Sequence, residues 1–418
     1  MGKVPLNDVD LFLCSQLSTP DYTGIVPERG STVPIPEVSE KYFRDHPVDV
    51  AVLGALQSES VLPMLKALPK HPRFAEASLG YYVLKIDREK EEQFSAVTVF
   101  FPDGCAVVCY QGTDDTIVGW KENFNTAVYE FVPAQHDAAL YLERVARHTE
   151  GPLYVVGHSK GGNLAVYAAA HACKKTNERI VRVISYDGPG FHREFVSSEG
   201  YRRIADRTYL ILSQNAMVGV LMHPVGQTVI VKSHNKGVMA HDGFSWEVKG
   251  DRFVRCSSFS KESDFFDKTM DNLIESLSPA ERTDFINGLF DALFATGSVT
   301  VTDLKRLKFN QVILVIRRFA AKKRLSKTIS VALDAIFHQE RYVRQQKKKP
   351  AALPPPKDAE TLPADGETEK SAAEDGKAKE EKKPAKKAKK PEKPETTDRK
   401  KTEKPEKSKK STKKPAAK

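Results

Sequence analysis

The 418-residue sequence has no Cys-x-x-Cys pair and no His/Cys group at metal-ligand spacing. Its five cysteines, Cys14, Cys105, Cys109, Cys173 and Cys256, are odd in number and scattered, mostly through apolar stretches. A zinc site is therefore not expected, and the thiols read as reduced packing residues. No metal ligand cluster or cofactor signature stands out elsewhere. Nor is there an apolar run near the roughly 20 residues that a membrane helix needs. The opening stretch MGKVPLNDVDLFLCSQL lacks a basic segment followed by a long apolar core. No signal peptide is expected, and a cytoplasmic location follows as the default. No internal repeat is found.

Aromatic residues are absent from residue 346 onward, where Lys, Glu, Ala, Pro, Ser and Thr dominate. Such a segment cannot bury enough apolar area to offset its ordering entropy, so 346–418 reads as a disordered tail. It carries 24 Lys and Arg against 14 Asp and Glu, which accounts for the whole net charge of +10. The body is therefore close to neutral, and the basic character belongs to the tail. A solubilising linker is the simplest role for it. Weak binding to polyanions or an anionic surface is the alternative, through counterion release. Without aromatics to stack on bases, sequence-specific nucleic-acid recognition is not expected.

The body alternates two periodicities. Residues 6–26 and 48–68 have apolar positions at helical spacing. FSAVTVFF (94–101) and CAVVCYQG (105–112) read as strands joined by a Pro-Asp-Gly turn. A helix over about 133–149 follows, then the short apolar strand LYVVGHS (153–159) and a small-residue helix over 161–173. Further strands are expected at 179–191, 207–213 and 227–233, and helices again over 261–345, where Ser278-x-x-Glu281 forms a capping box. Apolar strands alternating with helices imply an α/β fold with a mostly parallel central sheet. The expected division is a main domain over 1–300, a helical extension packed on it over 301–345, and the tail.

In GHSKGG, Ser159 has Gly157 two places before it and Gly161 two places after. A Gly-x-Ser-x-Gly match alone arises by chance roughly once in eight chains of this length. Here it follows an apolar strand and opens a helix, the setting of a nucleophile elbow. The reason is steric: a serine on a sharp strand-to-helix turn needs small neighbours two residues away. The helix then starts under the serine, and its free N–H groups face any oxyanion formed at Oγ. Lys160 N–H is the expected first donor. The second is expected from the loop after 105–110, where Gln111-Gly112-Thr113 offers the N–H and hydroxyl of Thr113. Asp114 and Asp115 read as loop-fixing carboxylates. A structural or phosphate-binding turn is the competing reading of the glycines.

An elbow serine needs a base downstream, in the chain order Ser, acid, His. His241, in VMAHDGFSW, follows the last strand and is the best candidate; His234 is the alternative. The acid is harder to place. The loop after 207–213 reads SQNAMVGVL and holds no carboxylate, with Asn215 where an aspartate would be expected. Asp187, one strand earlier in SYDGPGF, is the favoured acid, with Asn215 as the alternative position.

The strings QFSAVTVFFPDG, YQGTDDTIVGWKENFN, GHSKGGNLAVYAA, YDGPGF and HDGFSW together resemble the bacterial Mbeg-like group, a domain-of-unknown-function family of α/β-hydrolase type. The resemblance covers most of 6–290. The GT…W…N loop and the GHSxGG elbow are more distantly similar to class 3 lipases. Those enzymes use a Thr or Ser at the position of Thr113 for the oxyanion, and place their Asp where this chain has Asn215. The resemblance implies an α/β-hydrolase fold and esterase- or lipase-like hydrolysis of a small-molecule acyl ester or lipid. The competing expectation is a catalytically impaired hydrolase-fold protein, acting as a binding or scaffold module through its tail.

Overall fold

A computed structural model of the chain describes residues 5–46, 53 and 57–304. The tail expected over 346–418, and all but the start of the extension over 301–345, lie outside the described residues.

An eight-stranded sheet forms the centre. Its strands are β1 (Thr32–Pro34), β2 (Ser78–Asp87), β3 (Glu92–Phe100), β4 (Ala106–Tyr110), β5 (Leu153–His158), β6 (Ile180–Tyr186), β7 (Thr208–Ser213) and β8 (Gln227–Val231). They lie side by side in chain order. The pairings from β1 to β4 are antiparallel and those from β4 to β8 parallel. The short antiparallel ribbon of β9 (Val248–Lys249) and β10 (Arg252–Phe253) follows β8. The helices are α1 (Asp8–Gln16), α2 (Ile35–Asp45), α3 (Val61–Ala67), α4 (Ile117–Asn125), α5 (Pro133–Arg147) and α6 (Lys160–Ala170). One-turn helices α7 (Lys174–Asn177), α8 (Arg193–Val196) and α9 (Glu199–Arg202) come next, then α10 (Lys261–Ser276), α11 (Pro279–Phe294) and α12 (Val301–Leu304). Among the described residues no helix is long and apolar enough to cross a membrane.

The strand order explains the layers. Parallel neighbours are as a rule joined by right-handed crossovers, so a strand order that never reverses puts the crossover helices on one face. That face carries α5 and α6, packed on Phe94, Ala96, Val108, Tyr110, Val155 and Val183. Alternate strand residues point the other way. Val97, Val99, Val107, Cys109, Val156 and Ile184 form a second core with Leu11, Ile35 and Leu65 from the N-terminal helices. The central strands are thus covered on both faces, which is why they read as continuous apolar runs.

Several expected elements are shorter in the structure. The helix expected over 6–26 ends at Gln16, before Ser18, Thr19 and Pro20. Only 61–67 of the stretch 48–68 is described as α-helix, and most of 47–56 lies outside the described residues. The strand expected to run to 191 stops at Tyr186, leaving Asp187–Gly190 as a loop. The capping box of α11 is present, with Ser278 Oγ and Glu281 serving each other's backbone N–H groups. Cys14, Cys105 and Cys109 are buried thiols, but Cys173 is exposed and Cys256 half-buried.

Candidate active site

Ser159 joins β5 to α6 with φ 58° and ψ −133°. A non-glycine residue held at positive φ costs on the order of 1–3 kcal/mol and persists only when its surroundings fix it. Here Ser159 N–H donates to Tyr186 O at 2.9 Å, and Ser159 O accepts from Gly162 N–H at 2.8 Å. The flanking glycines make the turn sterically open. A methyl group on Gly157 would collide with the Gly161 carbonyl, and one on Gly161 with the Tyr110 carbonyl.

The loop after β4 lies directly over the elbow. A methyl group on Gly112 would stand 2.9 Å from His158 O and 3.2 Å from Ser159 Cβ. The next residue, Thr113, is buried, and its hydroxyl has no hydrogen-bond partner among the described residues. Gln57 donates to Thr113 O at 2.8 Å and Gln111 Nε2 to Thr19 O at 3.0 Å, which fixes this loop from both sides. Lys160 is the first residue of α6, where N–H groups lack intrahelical acceptors.

The Lys160 side chain turns away from the elbow into the core. Its ammonium reaches Gln93 O and Gln93 Oε1, both at 2.6 Å, and Glu122 Oε2 at 2.8 Å. Glu122, fully buried on α4, also accepts from Gln93 N–H at 3.0 Å and from Ala134 N–H at 2.9 Å in the first turn of α5. This polar cluster joins β3, α4, α5 and the elbow. Sequence reasoning missed it, because α4 read as loop. The N-cap at Thr116 was the available signal: its Oγ1 accepts from Gly119 N–H. Asp114 Oδ1 in turn accepts from the backbone and hydroxyl of Thr116, at 2.8 and 2.6 Å. Burial nevertheless raises the Asp114 carboxyl above its ordinary range, against those hydrogen bonds. Asp115 O accepts from Val301 N–H at 2.8 Å. No group of three or more His, Cys, Asp or Glu suited to a metal occurs among the described residues.

Asp187 begins the loop after β6, also at positive φ, 48°. Its carboxylate is fully buried, with Oδ1 accepting from Gly219 N–H at 2.9 Å and Oδ2 lying 2.7 Å from His241 Nδ1. With Nδ1–H donating to Asp187, the imidazole presents Nε2 as its basic edge. His241 ends a 3₁₀ turn, Gly237–His241. Trp246 Nε1 holds the turn by donating to Ala240 O at 2.9 Å. Beneath it Phe12 of α1 packs on Tyr186, Phe244 and Trp246, at ring-centroid distances of 5.3, 5.3 and 5.8 Å. The first helix thus supports the histidine loop, a role its sequence did not reveal.

His158, next to Ser159, ties the elbow to that loop. Its Nε2 lies 2.8 Å from His241 O, so Nε2 carries the proton and donates, and the two rings are 4.6 Å apart. Burial, reinforced by His241 nearby, pushes the His158 pKa down to about 3 and keeps the ring neutral. Asn215 is placed elsewhere: its Nδ2 donates to Asn235 O at 2.8 Å, and the carboxylate at His241 is that of Asp187. His234 is 70% exposed, with Nδ1 3.5 Å from Glu247 Oε1.

Residues 68–291 match the model of the Mbeg1-like family. The chain belongs to the Mbeg1-like family. The match spans β2 through most of α11 and includes Thr113, Ser159, Asp187 and His241. The comparison with curated proteins found no match. Among solved structures the chain is similar to the crystal structure of M37 lipase, with 12% identity and a TM-score of 0.32 over 51% of this chain and 68% of that one.

Proposed function

We propose that this Mbeg1-like chain is a serine hydrolase that cleaves acyl esters. The observation that carries the reading is the 2.7 Å contact of Asp187 Oδ2 with His241 Nδ1, at the end of β6 and next to the strained elbow serine on β5. A buried carboxylate fixing the Nδ1–H tautomer is what a general base at Nε2 requires. The empty carboxylate position in the loop after β7 therefore gives no ground for an impaired enzyme, since the adjacent strand supplies one.

In this mechanism His241 Nε2 takes the Ser159 hydroxyl proton as Oγ bonds to the ester carbonyl carbon. Asp187 stabilises the imidazolium that forms. The oxyanion is held by Lys160 N–H at the start of α6, together with the N–H and hydroxyl of Thr113. The unpartnered Thr113 hydroxyl supports that role, because a buried donor left without an acceptor costs free energy unless a ligand completes it. Collapse breaks the carbon–oxygen bond to the leaving alcohol, which takes the proton from His241. Water, activated by the same histidine, then releases the acid and restores Ser159.

A fluorophosphonate probe tests the reading. Wild-type protein is expected to label at one site and Ser159→Ala not at all. Equal labelling of the two proteins would sink the proposal.

A further inference from the structure

Beside the loop that carries Asp187 lies a cavity of about 220 Å³ that the chemistry above leaves unused. Its walls include Phe124 of α4 and Ala127 just beyond that helix, Pro189 from the loop after β6, Leu221 and Met222 from the loop after β7, and Ile286 of α11. Arg282 is the one charged lining residue, and its Nε donates to Leu277 O at 3.1 Å. Asn123 and Thr126 are the uncharged polar lining residues and the rest are apolar, so the cavity favours a largely apolar occupant.

Two of these walls are built from the segments that hold the acid. Pro189 is two residues beyond Asp187, and Gly188 between them packs so closely that a methyl group there would stand 2.6 Å from Ser159 O. On the other wall, Gly219 N–H donates to Asp187 Oδ1. The walls are joined by Gly190 N–H donating to Leu221 O at 2.9 Å and by the bridge between Phe191 and His223. Between those ties Met222 is held at φ 64°. A bulky residue forced into the left-handed region while lining a cavity is the kind of strain found where a chain is shaped for a ligand.

We infer that this cavity receives an unbranched aliphatic chain carried by the ester substrate, an inference that rests on the hydrolase reading. A water-sized group occupies about 30 Å³ in a liquid, so the space holds roughly seven such groups, a chain of medium length. Each methylene taken out of water is worth about 0.8 kcal/mol, or up to about fourfold in kcat/KM.

Nitrophenyl alkanoates from two to sixteen carbons, and alkyl acetates of the same lengths, separate a chain on the acyl side from one on the alcohol side. In one of the two series kcat/KM should rise up to about eight carbons and then level or fall. Ala127→Phe and Val218→Phe, the latter in the loop after β7 that also lines the cavity, fill it from different walls. In each variant that keeps the wild-type melting temperature, the ratio of octyl to two-carbon activity should drop at least about tenfold. Flat profiles in both series with active wild type, or profiles that neither folded variant changes, would overturn the inference. Calorimetric titration of 1-octanol into Ser159→Ala keeps the two readings apart. Binding that Ala127→Phe weakens, without ester cleavage by wild type, would keep the cavity site and refute the hydrolase. Ester cleavage with flat profiles and no octanol binding would do the reverse.

Discussion

Replacing Lys160 by methionine should destabilise the fold severely although the side chain never reaches the proposed reaction. Lys160 and Glu122 are 1% and 0% exposed, and their atoms lie 2.8 Å apart. The ammonium also makes two 2.6 Å hydrogen bonds to Gln93. Methionine keeps the length and removes all three contacts. Glu122 is left with the Gln93 and Ala134 N–H groups and no counter-charge, and the Gln93 carbonyl and amide oxygens lose their donor. Removing one member of a buried ion pair costs about 3–5 kcal/mol, because the partner stays charged and desolvated. That is a large share of the roughly 5–15 kcal/mol that holds a domain together. Adding Glu122→Gln removes the stranded charge, so the double variant should recover at least about half of the loss. Urea unfolding of wild type, the two singles and the double gives the cycle, read at constant m-value. A loss below about 1 kcal/mol for Lys160→Met would match an exposed pair and refute the buried network. Equal stability of the single and double variants would refute the stranded-charge argument separately.

Asp187→Asn should lower kcat for ester hydrolysis by about 10³–10⁴-fold at unchanged melting temperature, whereas Asn215→Ala should change kcat less than about threefold; steady-state assays on one ester decide it. Gly112→Ala should cut kcat at least about tenfold with a smaller effect on KM, because its methyl must displace the Thr113 loop or the elbow, and kinetics beside a melting curve separate this from unfolding. His158 gives a pH signature. Its folded pKa, about 3, lies below the ordinary 6.5, so the unfolded chain binds the extra proton and stability is lost as pH falls from about 6.5 toward about 3. The slope is at most about 1.4 kcal/mol per pH unit. His158→Gln should flatten that part of the stability profile, and an unchanged slope in urea titrations between pH 6.5 and 4 would refute the assignment.

The central strands and the elbow were legible because their signals are local. A strand covered on both faces must be apolar throughout, and a serine at positive φ between strand and helix needs small neighbours at fixed offsets. Features that depend on distant partners were not legible. Nothing local in the sequence marks a partner for the Lys160 ammonium; Glu122 and Gln93, 38 and 67 residues away, close around it. Phe12 reads as one apolar residue of a helix expected over 6–26, yet it carries the histidine loop more than two hundred residues later.

The proposed acid shows why chain order alone left two positions open. β6 and β7 are parallel neighbours with Tyr186 opposite Ile211, and Asp187 N–H continues the ladder by donating to Ile211 O at 2.8 Å. The strands of such a pair are about 4.8 Å apart, less than the reach of an aspartate and an imidazole together. A carboxylate at the end of either strand can therefore serve one histidine loop. What selects Asp187 is its second oxygen, which needs a donor in the buried position. Gly219 supplies it from the very loop that would have carried the other acid. A methyl group on Gly219 would stand 2.5 Å from that oxygen, so a side chain there would break the arrangement. The loop after β7 thus contributes a backbone donor to Asp187 rather than a carboxylate of its own. Restoring an acid by Asn215→Asp in the Asp187→Asn background should therefore recover little activity, because Asn215 points to Asn235 O and the Gly219 donor remains aimed at position 187.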